Sequence, residues 1–113
     1  MTMCMPSYSK FDVILVRYPF SDLSNSKVRP AVVVNSPHPS QDILITPLTS
    51  KTGSLLDGEF ALSEWLAAGL NVATAVKRGV YTVHESLAIK VIGKLADVDA
   101  EQLEQALRSW LEL

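Results

Sequence analysis

Cysteine is nearly absent: Cys4 is the single one in 113 residues, so the chain cannot form an internal disulfide and gives no sign of an oxidising compartment. Histidine is scarce too. His38 and His84 are the only two, and neither has a second ligand or a nucleophile at useful spacing. There is no HExxH pattern, no paired cysteine and no glycine-rich phosphate loop, which removes the usual metal and nucleotide sites. No apolar run approaches the roughly 18 residues of a membrane span. Residues 1 to 9 include Met1, Met3 and Met5 but lack a cationic start followed by an apolar stretch of signal-peptide length. The expectation is a soluble cytoplasmic protein with no metal, no cofactor and no membrane partner. Internal repeats and low-complexity segments are likewise absent.

Charge is low in total but uneven. The chain carries a formal charge of -2. Through Lys94 there are nine Lys and Arg against seven Asp and Glu, hence +2; from Leu95 to Leu113 there is one against five, hence -4. A basic face can therefore exist on an acidic protein, and nucleic-acid binding is permitted without being argued for.

What the chain does have is β-branched residues in short runs. At 113 residues with 48% hydrophobic content it fits one domain, 1–113, with residues 1–9 expected to be disordered. Phe11 to Tyr18 reads as a first strand ended by Pro19, and Ser21 to Lys27 as a mobile loop holding Asp22 and Asn25. The next stretch organises the rest: Lys27-Val28-Arg29-Pro30-Ala31-Val32-Val33-Val34-Asn35-Ser36. Pro30 pushes Arg29 towards extended geometry, and the valines predict a strand buried on both faces. A guanidinium held there can present its planar fork to a phosphate or carboxylate. Asp42 to Leu48 predicts a third strand, closed by Pro47-Leu48-Thr49-Ser50. Lys51 to Gly58 reads as a loop, Glu59 to Leu62 as a short strand, and Ser63 as the cap of a brief helix from Glu64 to Ala68 ended by Gly69. Trp65 and Leu66 are expected to cover the sheet. Asn71 to Lys77 and Val80 to Val83 predict strands around Lys77-Arg78-Gly79, with a turn near Glu85 and a last strand through Val91 and Ile92. Asp97 or Asp99 should cap a closing helix whose Leu103, Leu107, Trp110 and Leu111 form one apolar stripe. Many short strands and one terminal helix predict a mainly β fold, a small, strongly bent antiparallel barrel with a short inserted helix and a C-terminal helix.

Taken in order, these pieces resemble the MazF/PemK-like toxins of bacterial type II toxin-antitoxin systems, whose fold is shared with CcdB. The resemblance rests on Asp12-Val13-Ile14-Leu15-Val16 leading through Pro19-Phe20-Ser21-Asp22-Leu23-Ser24 to Lys27-x-Arg29-Pro30-Ala31-Val32-Val33, and on Pro47-Leu48-Thr49-Ser50. Ala68-Gly69-Leu70 before the fifth strand and Ile92-Gly93-Lys94-Leu95 before the last helix complete it. Two positions depart from the pattern. Phe11 stands where the family usually has Gly, and Lys77-Arg78 stands where some members place an acidic residue beside an arginine for proton transfer.

The resemblance implies a homodimeric, metal-independent endoribonuclease that cuts single-stranded RNA, is silenced by a cognate antitoxin, and meets DNA only indirectly through the antitoxin complex. It implies Arg29 and Thr49 as catalytic residues, with Lys27, Ser50, Lys51, Lys77 and Arg78 as RNA-binding ones. Two other classes share the fold: a CcdB-like gyrase poison, whose contacts depend on a C-terminal Trp-Gly-Ile, and an inactive binding barrel. This chain ends Trp110-Leu111-Glu112-Leu113 and keeps Arg29 and Thr49, which favours the ribonuclease.

Overall fold

The computed structural model describes residues 8–18, 27–35 and 38–113. Most of the loop expected at Ser21 to Lys27, including Asp22 and Asn25, lies outside the described residues, as do residues 1–7. Tyr8 and Ser9, within the segment expected to be disordered, join the fold: Tyr8 packs on the core, and the Ser9 N–H donates to the Asp12 carboxylate at 2.9 Å.

Seven strands form antiparallel pairs: β1 (Asp12–Tyr18), β2 (Lys27–Val33), β3 (Asp42–Thr49), β4 (Phe60–Ala61), β5 (Ala75–Val76), β6 (Tyr81–His84) and β7 (Ala88–Lys94). A 3-10 turn, Glu85–Leu87, joins β6 to β7, and helix α1 spans Asp97–Leu111. The spatial order is β4-β5-β3-β2-β1-β7, with β6 also paired to β3. The mainly β antiparallel fold with its C-terminal helix is as expected, but among the described residues no pairing joins the outer strands, so the sheet is bent and open, not a closed barrel. β1 helps it bend. Its register against β7 shifts between Val13 and Ile14 and again between Leu15 and Val16, and such irregularities increase local twist.

Side chains alternate across the sheet as the period of two requires. Ile14, Val16, Ala31, Val33, Ile43, Ile45 and Val83 form one buried cluster, with Tyr8, Leu87 and Ala88 packed on it. On the opposite face Val13, Val32, Leu48 and Val76 join Leu62, Ala68, Leu70, Leu95 and Leu103. Adjacent valines of β2 thus serve different clusters, so the strand is buried on both faces as expected. Thr46, fully buried in β3, has a hydroxyl with no hydrogen-bond partner among the described residues.

Several elements differ from the sequence reading. Phe11 is outside β1 and has φ 74°, the left-handed region that suits glycine, so the departure noted there falls on a strained backbone position. Residues 65–69 form hydrogen-bonded turns where a helix was expected: the Ala68, Gly69 and Leu70 N–H groups return to the Trp65 and Leu66 carbonyls. Neither Asp97 nor Asp99 caps α1, whose N-cap is Ala96 and makes no side-chain cap bond. The Asp99 carboxylate, fully buried, instead accepts from the Ser63 and Glu64 N–H groups at 2.8 and 2.9 Å. Of the predicted stripe, Leu103 is buried and Leu107 and Trp110 pack on the same cluster, but Leu111 is exposed. Trp65 packs on the core and Leu66 does not. The strand expected over 71–77 shrinks to Ala75–Val76.

Gly69 and Gly93 set how closely that turn approaches β7. A Cβ on Gly69 would fall 2.0 Å from the Ile92 carbonyl oxygen, and one on Gly93 would fall 2.1 Å from that of Ala68. Two backbones meet where no side chain fits.

Candidate functional site

Arg29 is the third residue of β2 and pairs with Val16 on β1. Ala31 pairs with Pro47 on β3, so carrying the antiparallel register two residues further sets Arg29 across from Thr49. Thr49 in turn pairs with Ala75 on β5, and the Lys77 N–H donates to the Pro47 carbonyl at 3.0 Å. Three strands therefore carry Arg29, Thr49 and Lys77 to one end of the sheet. There they line a cleft of about 630 Å³ together with Ser50, Lys51, Arg78, Tyr81, Val72 and Thr74.

The cleft's charge is one-sided. Arg29, Lys51, Lys77 and Arg78 line it and, among the described residues, no carboxylate does, although the whole chain is net negative. The ion pairs among the described residues, Lys94 with Asp12 and Arg108 with Glu104, involve none of the four. Four cations gathered in a concave site make it attractive to an anion.

Thr49 has a defined hydroxyl orientation. Its Oγ1 accepts the Lys51 N–H at 3.1 Å, closing a local turn at the end of β3. With a lone pair occupied by the backbone, the hydroxyl proton is left to donate. The Lys77-Arg78-Gly79 turn is tied down by Glu59, whose carboxylate accepts from the Leu56 N–H at 2.8 Å and the Arg78 N–H at 3.2 Å. Those two bonds, Leu56 first, with the Lys77 charge adding, hold Glu59 below its ordinary carboxylate range. Beside it, the Gly58 carbonyl accepts from Trp110 Nε1 at 3.1 Å, linking the loop to α1.

Of the residues expected at the site, Arg29, Thr49, Ser50, Lys51, Lys77 and Arg78 come together in the cleft. Lys27, exposed at the start of β2, is not among the lining residues. His38 and His84 lie elsewhere, each engaged through Nδ1 with a serine two residues on, Ser40 and Ser86. The sequence reading missed Tyr81 and Val72. A signal existed for Tyr81, because Lys77-Arg78-Gly79-Val80-Tyr81 sets an aromatic residue just after two cations.

The sequence model of a family described as PemK-like, MazF-like toxin of type II toxin-antitoxin system matches residues 9–111. No curated protein matches the chain. Among solved structures, MazF from Deinococcus radiodurans superposes with a TM-score of 0.76 at 16% identity, over 96% of this chain and 100% of that one. An endoribonuclease in complex with its cognate antitoxin from Mycobacterial species gives 0.73 at 13% identity, over 96% and 97%. Mycobacterium tuberculosis toxin MazF-mt6 gives 0.68 at 17% identity, over 90% and 97%. At these identities the likeness is one of fold.

Proposed function

Because the chain belongs to the PemK-like, MazF-like toxins of type II toxin-antitoxin systems, we propose that it is an endoribonuclease whose cleft receives single-stranded RNA and whose activity a cognate antitoxin blocks. The observation that carries this reading is the cleft around Thr49, which among the described residues is lined by four cations and no acid. Two of the similar structures support it by their own descriptions, one an endoribonuclease with its antitoxin and one a MazF toxin.

RNA can be cut without a metal when a ribose 2′-hydroxyl attacks the adjacent phosphorus. The 2′-oxygen to phosphorus bond forms, the bond to the 5′-oxygen breaks, and the products are a 2′,3′-cyclic phosphate and a 5′-hydroxyl. Negative charge gathers on the non-bridging oxygens as this happens, and donors aimed at them lower the barrier. A guanidinium stays protonated in proteins, so Arg29 acts by charge and by its two parallel N–H bonds, not as a base. Thr49 donates its hydroxyl to the same phosphate. Ser50, Lys51, Lys77 and Arg78 hold flanking phosphates.

The test is incubation of the purified protein with single-stranded RNA in excess EDTA. Cleavage at defined sites, leaving cyclic-phosphate ends, is expected; intact RNA across a broad set of sequences would overturn the reading. We also propose a homodimer, since β7 is an edge strand with Ile89 and Val91 two-fifths exposed. Sedimentation should give about twice the 12.4 kDa of one chain, and a monomer at micromolar concentration would refute it.

A further inference from the structure

We propose that Tyr81 is a stacking platform for a nucleobase flanking the cleaved step, an inference that rests on RNA being the cleft's ligand. Tyr81 opens β6, where pairing with Ile45 fixes its backbone, and it lines the cleft while remaining 41% exposed. Its phenolic end lies against Gly79. A Cβ there would sit 3.2 Å from Oη and 3.3 Å from Cε1 and Cζ, and Gly79 has φ 150°, which a side chain disfavours. The missing side chain lets backbone support the ring, so the aromatic group is placed before any ligand arrives. Val72, 55% exposed, adds a second apolar group to the same cleft.

An exposed tyrosine on a strand is ordinary by itself. Here it shares a concave site with four cations and, among the described residues, no acid, a combination that matches a single-stranded nucleic acid: phosphates need cations and unpaired bases need an aromatic face. Ile45 and Thr49 lie on one face of β3, four residues and so roughly 13 Å apart. The base on Tyr81 therefore belongs to a neighbour along the strand, not to the phosphate at Thr49. Stacking accepts any base but does require one, which makes this subsite a source of affinity and positioning rather than of a strict sequence code.

The experiment compares wild type, Tyr81→Phe and Tyr81→Leu on a single-stranded RNA carrying a site mapped with the wild-type protein. Each nucleotide flanking the cut is replaced in turn by an abasic unit. Tyr81→Leu should raise KM about five- to hundredfold with kcat little changed, the range that loss of one base–aromatic stack gives. Tyr81→Phe should retain the wild-type value. At one flanking position the abasic RNA should erase the difference between wild type and Tyr81→Leu. An unchanged KM in Tyr81→Leu, a loss confined to kcat, or a difference that survives every abasic substitution overturns the proposal, whether or not antitoxin binding weakens. Kd for a non-cleavable 2′-deoxy version of the RNA is read in parallel. If wild type binds RNA without cutting it, the ribonuclease reading fails and the stacking is judged on Kd; if it binds no RNA, both fail.

Discussion

Arg29 and Thr49 differ in what a conservative replacement removes. Lysine at 29 keeps the charge and loses the planar fork, so Arg29→Lys should cut the cleavage rate about 100-fold while RNA still binds. Thr49→Val keeps the β-branched shape and deletes the proton donor, and its rate should fall by up to a few hundredfold at an unaltered thermal midpoint. Single-turnover kinetics beside a melting curve checks both; full activity in either folded variant removes that residue from the mechanism. Thr46 makes the opposite case, since its buried hydroxyl finds no partner among the described residues. Thr46→Val should stabilise the protein by about 1 kcal/mol in urea unfolding, because it removes a desolvated polar group with little change of volume. At this scale the sequence was readable where a residue belongs to a motif, as Arg29 and Thr49 do. For Tyr81 the local pattern was suggestive but insufficient, since its place in the cleft depends on β3 lying beside β6.

Elements were legible where one periodicity lasted seven residues or more. β1, β3 and α1 stand within a residue or two of their expected bounds, because β-branched runs and the leucine spacing of α1 are local signals, whereas β2 already begins at Lys27, where the loop was expected to end. The helix expected from Glu64 to Ala68 was a misreading, and the cause is long-range. Ser63 has the composition of a helix cap, yet its N–H and that of Glu64 are satisfied by Asp99, 36 and 35 residues away. Asp99→Asn keeps one acceptor but turns an amide NH2 towards an N–H group; it should lose about 1–3 kcal/mol of stability, with faster amide exchange at residues 63 and 64. Protection there equal to wild type would argue against the clamp. The glycine contact is stricter. With a Cβ of Gly69→Ala only 2.0 Å from a backbone oxygen and φ at 89°, the turn must move away from β7, at a cost of about 3 kcal/mol or more. Normal stability in that variant would mean the two segments are not packed as described.

For the molecule as a whole, the net charge of -2 misleads, since the last nineteen residues alone carry -4 and the cleft holds four cations. If all four reach phosphates, the logarithm of RNA affinity should fall with the logarithm of salt with a slope of roughly -3. A slope near zero would disconnect the cleft from the RNA. The fold class was legible because strand runs outnumber helical ones, but the openness of the sheet was not: whether outer strands meet depends on curvature that no local pattern states. One consequence of the Asp99 clamp reaches beyond the finished protein. Synthesis runs from the N-terminus, so the ribosome releases Arg29, Thr49, Lys77 and Tyr81 before it releases α1. Until that helix emerges, Leu103 is missing from its cluster and the Ser63 and Glu64 N–H groups have no carboxylate to meet. A nascent chain therefore carries its cleft residues on an unfinished scaffold until α1 emerges.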